Sequence, residues 1–231
     1  MIEKKIVLVL GAGASRPFGF PLGKELANHV VASLVEPTET DSGKLLLDCH
    51  PQFSPGYLKN FAINLRDSHR DSVDAFLEHN PDFLRIGRLA IAGTLIPYET
   101  PEALQDGNWY RSLFNAMNAQ FEAFGQNKLA VITYNYDRSL EFYLCNKLQA
   151  AYCKDIHECR AVVSSIPIVH LHGKMGSYVE LGEGFRPYDA TASSTRVLQF
   201  SSGIKIINES IDHEPQFAEA HRLISEAEII C

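Results

Sequence analysis

The 231-residue sequence predicts an α/β protein built on a parallel sheet. Three short apolar runs each stop at a glycine or polar turn. Helical spacing fills the intervals between them. The runs are apolar throughout rather than in alternation, as expected for strands buried on both faces beneath covering helices.

Lys4–Leu10 (KKIVLVL) predicts the first strand, stopping at Gly11. Leu22–Val35 follows with helical spacing, placing Leu26, Ala27, Val30 and Leu34 on one side. Residues 36–56 are rich in Pro, Gly, Ser and Thr and predict a long loop. Residues 57–95 predict helical structure with a break near Pro81, and a further polar loop ends at Gly107. Asn108–Phe124 has a strong 3.6-residue period through Tyr110, Leu113, Phe114, Met117 and Phe121. Lys128–Asp137 predicts the second strand, with a helix following from about Arg138. Ile166–Lys174 predicts the third strand, residues 174–195 a glycine-rich loop, and Glu214–Cys231 a helix that opens a last strand at Glu228–Cys231.

Bulk composition narrows the function classes. Hydrophobic residues make up 45% and charged residues 21%, a mix that supports a sizeable core. A formal net charge of −7 argues against sequence-independent binding to nucleic acid, which leans on clustered Lys and Arg. The apolar run before Gly11 is too short for a signal peptide, and no run approaches the roughly 18 residues of a spanning helix, so no membrane partner is expected. Five cysteines without framework spacing predict a reducing, cytoplasmic setting.

In parallel α/β sheets, ligands sit outside the carboxyl ends of the strands. Gly11–Ser15, Thr133–Asp137 and His172–Gly173 therefore nominate one site. The glycines of GAGAS let the backbone turn sharply and approach a phosphate, beside the free N–H groups of a following helix. Ser15 caps that helix or bonds a phosphate oxygen; equally, such turns are common in α/β proteins without a nucleotide. The fingerprint of hydride-transfer enzymes is not met. Arg16 replaces its third glycine, and Glu36 and Glu39 fall in the loop where a ribose-binding acid would need a strand. In TYNYD, residues Thr133, Asn135 and Asp137 alternate and share one face if extended. The alternative is that Asn135 or Asp137 caps the next helix. His170 and His172, two apart, point to opposite faces of a strand. His172, beside Gly173, is the better placed to act as a base at neutral pH, although a lone histidine there is more often structural.

GAGAS…GFPLG, TYNYD…LE and HLHG, in this order, resemble the sirtuin-like family of NAD-binding domains. The likeness is strongest to its bacterial branch that consumes NAD in anti-phage defence. Ser72–Glu78 (SVDAFLE) resembles a helical element of that branch, and the resemblance spans about 5–175. It implies a single domain over 1–231 with a Rossmann-like parallel sheet flanked by helices, and a small helical lobe inserted at about 40–105. It implies that Gly11, Ala12, Gly13 and Ser15 hold the NAD diphosphate and neighbouring ribose, with Thr133 and Gly173 also among the cofactor-binding positions. Asn135, Asp137 and His172 become the catalytic positions. Asn135 binds the nicotinamide ribose or positions a water, Asp137 meets the nicotinamide end, and His172 acts as base on the ribose hydroxyls. Nicotinamide is a cationic leaving group, so its bond to ribose breaks through an oxocarbenium-like state that asks for positioning and electrostatics rather than a general acid.

The sequence also departs from the family's protein deacylases. Cys145, Cys153 and Cys159 form no Cys-x-x-Cys pair, so no zinc is expected and the acyl-lysine groove is in doubt. Hydrolysis of NAD itself, with NAD as substrate, is therefore favoured over a non-catalytic NAD or ADP-ribose sensor or a deacylase. A homo-oligomer or an activating partner is expected. Arg16–Gly23 reads as a flexible loop over the nicotinamide ribose. The chain ends at AEIIC, where the family runs on into a glycine turn on the adenosine side, so the C-terminal end of the fold is expected to be truncated.

Overall fold

Four strands form one sheet in the computed structural model, which describes residues 1–105, 108–179, 184–206 and 214–231. They are β1 (Ile6–Leu10), β2 (Leu129–Thr133), β3 (Ile168–His170) and β4 (Ile229–Ile230), in the order β3-β2-β1-β4 with every pair parallel. This is a Rossmann-like α/β architecture. The register puts Leu10 opposite Thr133 and Thr133 opposite His170, so three strand ends finish level with one another. All five residues of β2 are buried, which is why its sequence shows no alternation.

Between β1 and β2 lie α1 (Gly23–Leu34), α2 (Asp41–Cys49), α3 (Pro55–Asp67), α4 (Val73–Leu77), α5 (Leu84–Leu95) and α6 (Asn108–Ala116). After β2 come α7 (Ser139–Tyr152) and α8 (Ile156–Ser164), and after β3 come α9 (Ser194–Ser201) and α10 (Pro215–Glu226). One face of the sheet, through Val7, Ala130 and Ile132, packs on Ala220 and Leu223 of α10. The other, through Leu129 and Val131, joins a single core that runs from α1 through α9. Leu26, Ala27, Val30 and Leu34 are the buried face of α1, as their spacing predicts. Among the described residues no helix is long and apolar enough to cross a membrane.

Several expectations are corrected. The predicted loop over 36–56 contains α2, capped by Thr40, whose hydroxyl accepts from the Gly43 N–H at 3.0 Å. The helix predicted to reach Phe124 ends at Ala116 and resumes as a 3₁₀ turn at Phe121–Gln126. Asn127 explains the break: its amide donates to the Met117 and Phe124 carbonyls at 2.9 and 2.7 Å, while its oxygen accepts from Ile2 N–H. The second and third strands are shorter than predicted, ending at Thr133 and His170. Gly107, and residues 180–183 of the predicted loop over 174–195, lie outside the described residues.

Candidate functional site

The chain leaves β1 at Gly11 and makes two 3₁₀ turns, Ala12–Ala14 and Arg16–Phe18, before α1 begins at Gly23. The following helix, predicted from Leu22, begins at Gly23, eight residues beyond Ser15, so its N-terminus does not open directly from the GAGAS turn. Trp109 Nε1 donates to the Ala14 carbonyl at 2.9 Å, and Phe18 stacks on Tyr110 at 4.2 Å. Phe18 and Phe20 are both buried, so the segment expected to be a flexible loop is pinned from beneath.

At the end of β2 the Thr133 hydroxyl accepts from Asn135 N–H at 3.0 Å and turns the chain out of the ladder. Strict alternation stops there. Tyr134, Asn135, Tyr136 and Asp137 all reach one pocket of about 210 Å³, instead of only every second residue. Ala12 and Ser15 enter it from the first strand end, His172 from the third, and Ser72 and Asp74 from α4. Ser72 caps α4 by accepting from Ala75 N–H at 3.1 Å, which sets the start of that helix at the pocket wall.

The expected residues divide into two groups. Ala12, Ser15, Asn135, Asp137 and His172 come together around the pocket; Gly11, Gly13, Thr133 and Gly173 do not line it. Ser15 is buried: its hydroxyl donates to Asp137 Oδ2 at 2.7 Å and accepts from Asn135 Nδ2 at 3.0 Å. Asn135 Nδ2 also donates to the Gly11 carbonyl at 3.0 Å, so both amide protons are used, and among the described residues nothing donates to its side-chain oxygen. Asp137 Oδ1 accepts from both the N–H and the hydroxyl of Ser139, a helix-start bond close to the predicted capping role. The Ser139 hydroxyl in turn meets that of Tyr110 at 2.7 Å.

The two histidines part as expected, although the turn after β3 places His172 rather than strand alternation. His170 Nδ1 faces the Asn135 carbonyl at 2.8 Å and Nε2 faces Glu141 Oε1 at 3.0 Å, both deep in the protein. Burial acts to raise the Glu141 carboxyl, but His170 and, at longer range, Lys174 hold it at about 2. His172 is half-buried beside the Tyr134 ring, centroids 5.5 Å apart, and among the described residues its ring nitrogens have no hydrogen-bond partner. Burial lowers its pKa below the usual value of 6.5, against a smaller opposing pull from Asp74. A neutral imidazole facing a pocket at pH 7 is suited to accept a proton.

Glycine chemistry separates the turns. Gly11 and Gly13 lie outside the left-handed region, and a Cβ at either would meet nothing within 4 Å. The fold itself does not demand glycine there. Gly173 has φ +73°, and a Cβ would strike the Gly203 carbonyl oxygen. Its presence is explained by the turn alone.

Asp74 and Tyr136 are site residues that the motifs did not single out individually. The Tyr136 hydroxyl donates to Asp74 Oδ1, and burial raises both groups. The only sequence signal for Asp74 is its place in SVDAFLE. All five cysteines are free, with Cys49, Cys145 and Cys159 buried. Among the described residues no cluster of three His, Cys, Asp or Glu is placed to hold a metal ion. No family model matches the chain, and neither the curated proteins nor the solved structures yield a match.

Proposed function

We propose that this protein binds NAD with its nicotinamide ribose in the pocket at the carboxyl ends of β1, β2 and β3, and hydrolyses it to nicotinamide and ADP-ribose. The observation that carries the reading is convergence. Ala12 and Ser15, Asn135 and Asp137, and His172 come from three separate strand ends and line one pocket. The empty space at Gly11 and Gly13 supports it, because a backbone with no internal need for glycine leaves room for something outside the chain to approach closely.

The chemistry follows from the groups present. The bond between ribose C1′ and the pyridinium nitrogen breaks with its electron pair passing to nicotinamide, which leaves neutral. Water adds at C1′ and releases one proton. The Asn135 side-chain amide oxygen is available to orient that water, and neutral His172 to take a proton from water or a ribose hydroxyl. Ser15 and Asp137, whose polar atoms bond one another and their neighbours, hold Asn135 in place rather than reacting. A role as effector in bacterial anti-phage defence, with an oligomer or partner as activator, is part of the same proposal and rests on the sequence resemblance.

The test is incubation of purified protein with NAD and identification of products. The wild type releases nicotinamide and ADP-ribose in equal amounts, and Asn135→Ala and His172→Ala each reduce the rate at least a hundredfold. Release at the wild-type rate from both variants overturns the mechanism.

A further inference from the structure

The wall supplied by α4 holds a carboxylate whose hydrogen bonding is incomplete. Asp74 is half-buried, and its Oδ1 accepts from Tyr136. Its own backbone N–H also meets the carboxylate; among the described residues no further donor does, and no Lys or Arg forms an ion pair with it. A half-buried carboxylate that lines a pocket and accepts from two donors keeps lone pairs open to a ligand that donates. The described residues lining the pocket include no Lys or Arg, so an anionic phosphate finds no counter-charge there. A hydroxyl is different, since it donates without bringing negative charge. In the same pocket His172 presents ring nitrogens that no group among the described residues engages.

We propose that Asp74 accepts a hydrogen bond from one hydroxyl of a ribose diol in this pocket while His172 engages the adjacent hydroxyl. Asp74 thereby selects the ribose end of a nucleotide over its phosphates. The identity of the ligand as a nucleotide ribose rests on the function proposed above; the contact itself requires only the diol. Tyr136 holds the carboxylate in position, and its raised pKa keeps it a donor. The segment between β1 and β2 thus contributes a residue that touches substrate.

Calorimetry with ADP-ribose, and with an analogue lacking both hydroxyls of the distal ribose, tests this on the intact chain. The wild type is expected to bind the analogue about tenfold to a hundredfold more weakly than ADP-ribose, the range for a hydrogen bond to a charged group. Asp74→Asn loses the same factor for ADP-ribose and nothing further for the analogue. Tyr136→Phe, which keeps the carboxylate, retains the discrimination and covers the case in which Asp74→Asn fails to fold. Equal wild-type affinity for the two ligands, or an Asp74→Asn loss equal for both, overturns the contact, as does a wild type that binds no ADP-ribose. Nicotinamide release is not read here. A protein that shows the diol effect without cutting NAD refutes hydrolysis alone; one that cuts NAD without the diol effect refutes the contact alone.

Discussion

Gly11 and Gly13 on one side, and Gly173 on the other, are glycines for opposite reasons, and alanine separates them. At Gly11 and Gly13 the backbone is ordinary and the space is open, so Gly→Ala changes stability by no more than about 1 kcal/mol. If a diphosphate rests against that turn, either substitution weakens ADP-ribose binding at least tenfold. Binding unchanged in both variants would remove the cradle. At Gly173 the positive φ and the Gly203 carbonyl make Gly→Ala destabilising by about 1–3 kcal/mol or more, seen as a lower thermal midpoint. A second residue-scale prediction concerns pH. Burial keeps the His172 pKa below 6.5, so nicotinamide release is flat around neutrality and falls as acid protonates the ring below that value. The Asp74 carboxylate favours the imidazolium, so Asp74→Asn moves the acid limb of kcat/KM to lower pH; a shift upward contradicts the assignment. Asn135, Asp137 and His172 were legible in the sequence because polar groups at the ends of apolar strands stand out. Asp74 was not, because its place depends on α4 folding against a tyrosine 62 positions away.

The elements that the sequence made legible are those whose signals are local. β1, β2, α1 and α7 follow from apolar runs, glycine punctuation and helical spacing. Two further helices lay outside the expectations although each carries a start signal. Asp155 and Glu158 form a capping box for α8, and Ser193 caps α9. What no local pattern reveals is how α7 begins. Arg138 and Glu99 are both fully buried and form a two-pronged ion pair between the N-cap of α7 and the end of the helical segment. Arg138 also donates to the Arg186 and Pro187 carbonyls at 2.7 and 3.1 Å and lies over the Phe200 ring at 5.0 Å. Three distant stretches of chain therefore meet at one guanidinium, immediately beside Asp137. Arg138→Met strands the Glu99 carboxylate and two carbonyls, and is expected to destabilise the fold by about 3–5 kcal/mol in denaturant unfolding. Arg138→Met with Glu99→Leu should recover a large part of that loss, because the stranded charge is gone. A double variant no more stable than the single one would show that the carbonyl contacts, not the ion pair, dominate.

At the scale of the whole molecule, one polar network ties the three strand ends to the helices beside them. It passes from Tyr110 through Ser139, Asp137 and Ser15 to Asn135, whose carbonyl meets His170, and ends at Glu141 on α7. The pocket is therefore built on buried polar groups that must stay satisfied together for the site to keep its shape. Glu141 couples that network to pH. Its carboxyl lies at about 2 when folded, against 4.5 for an ordinary glutamate. A folded-state pKa below the unfolded one stabilises the protein above the unfolded value, and this stabilisation is lost as pH falls through the folded value. The window is thus about 4.5 down to about 2, and the contribution at stake is at most about 3 kcal/mol. Other carboxylates titrate over the same range, so the difference between the wild type and Glu141→Gln isolates this one. The glutamine variant is expected to be the less stable protein at neutral pH and to converge on the wild type near pH 2, both followed by denaturant unfolding at each pH. A stability difference that stays constant from pH 5 to pH 2 would mean that the His170–Glu141 pair is held by packing and not by its charge, and that the site beneath Asn135 does not loosen through this carboxylate in acid.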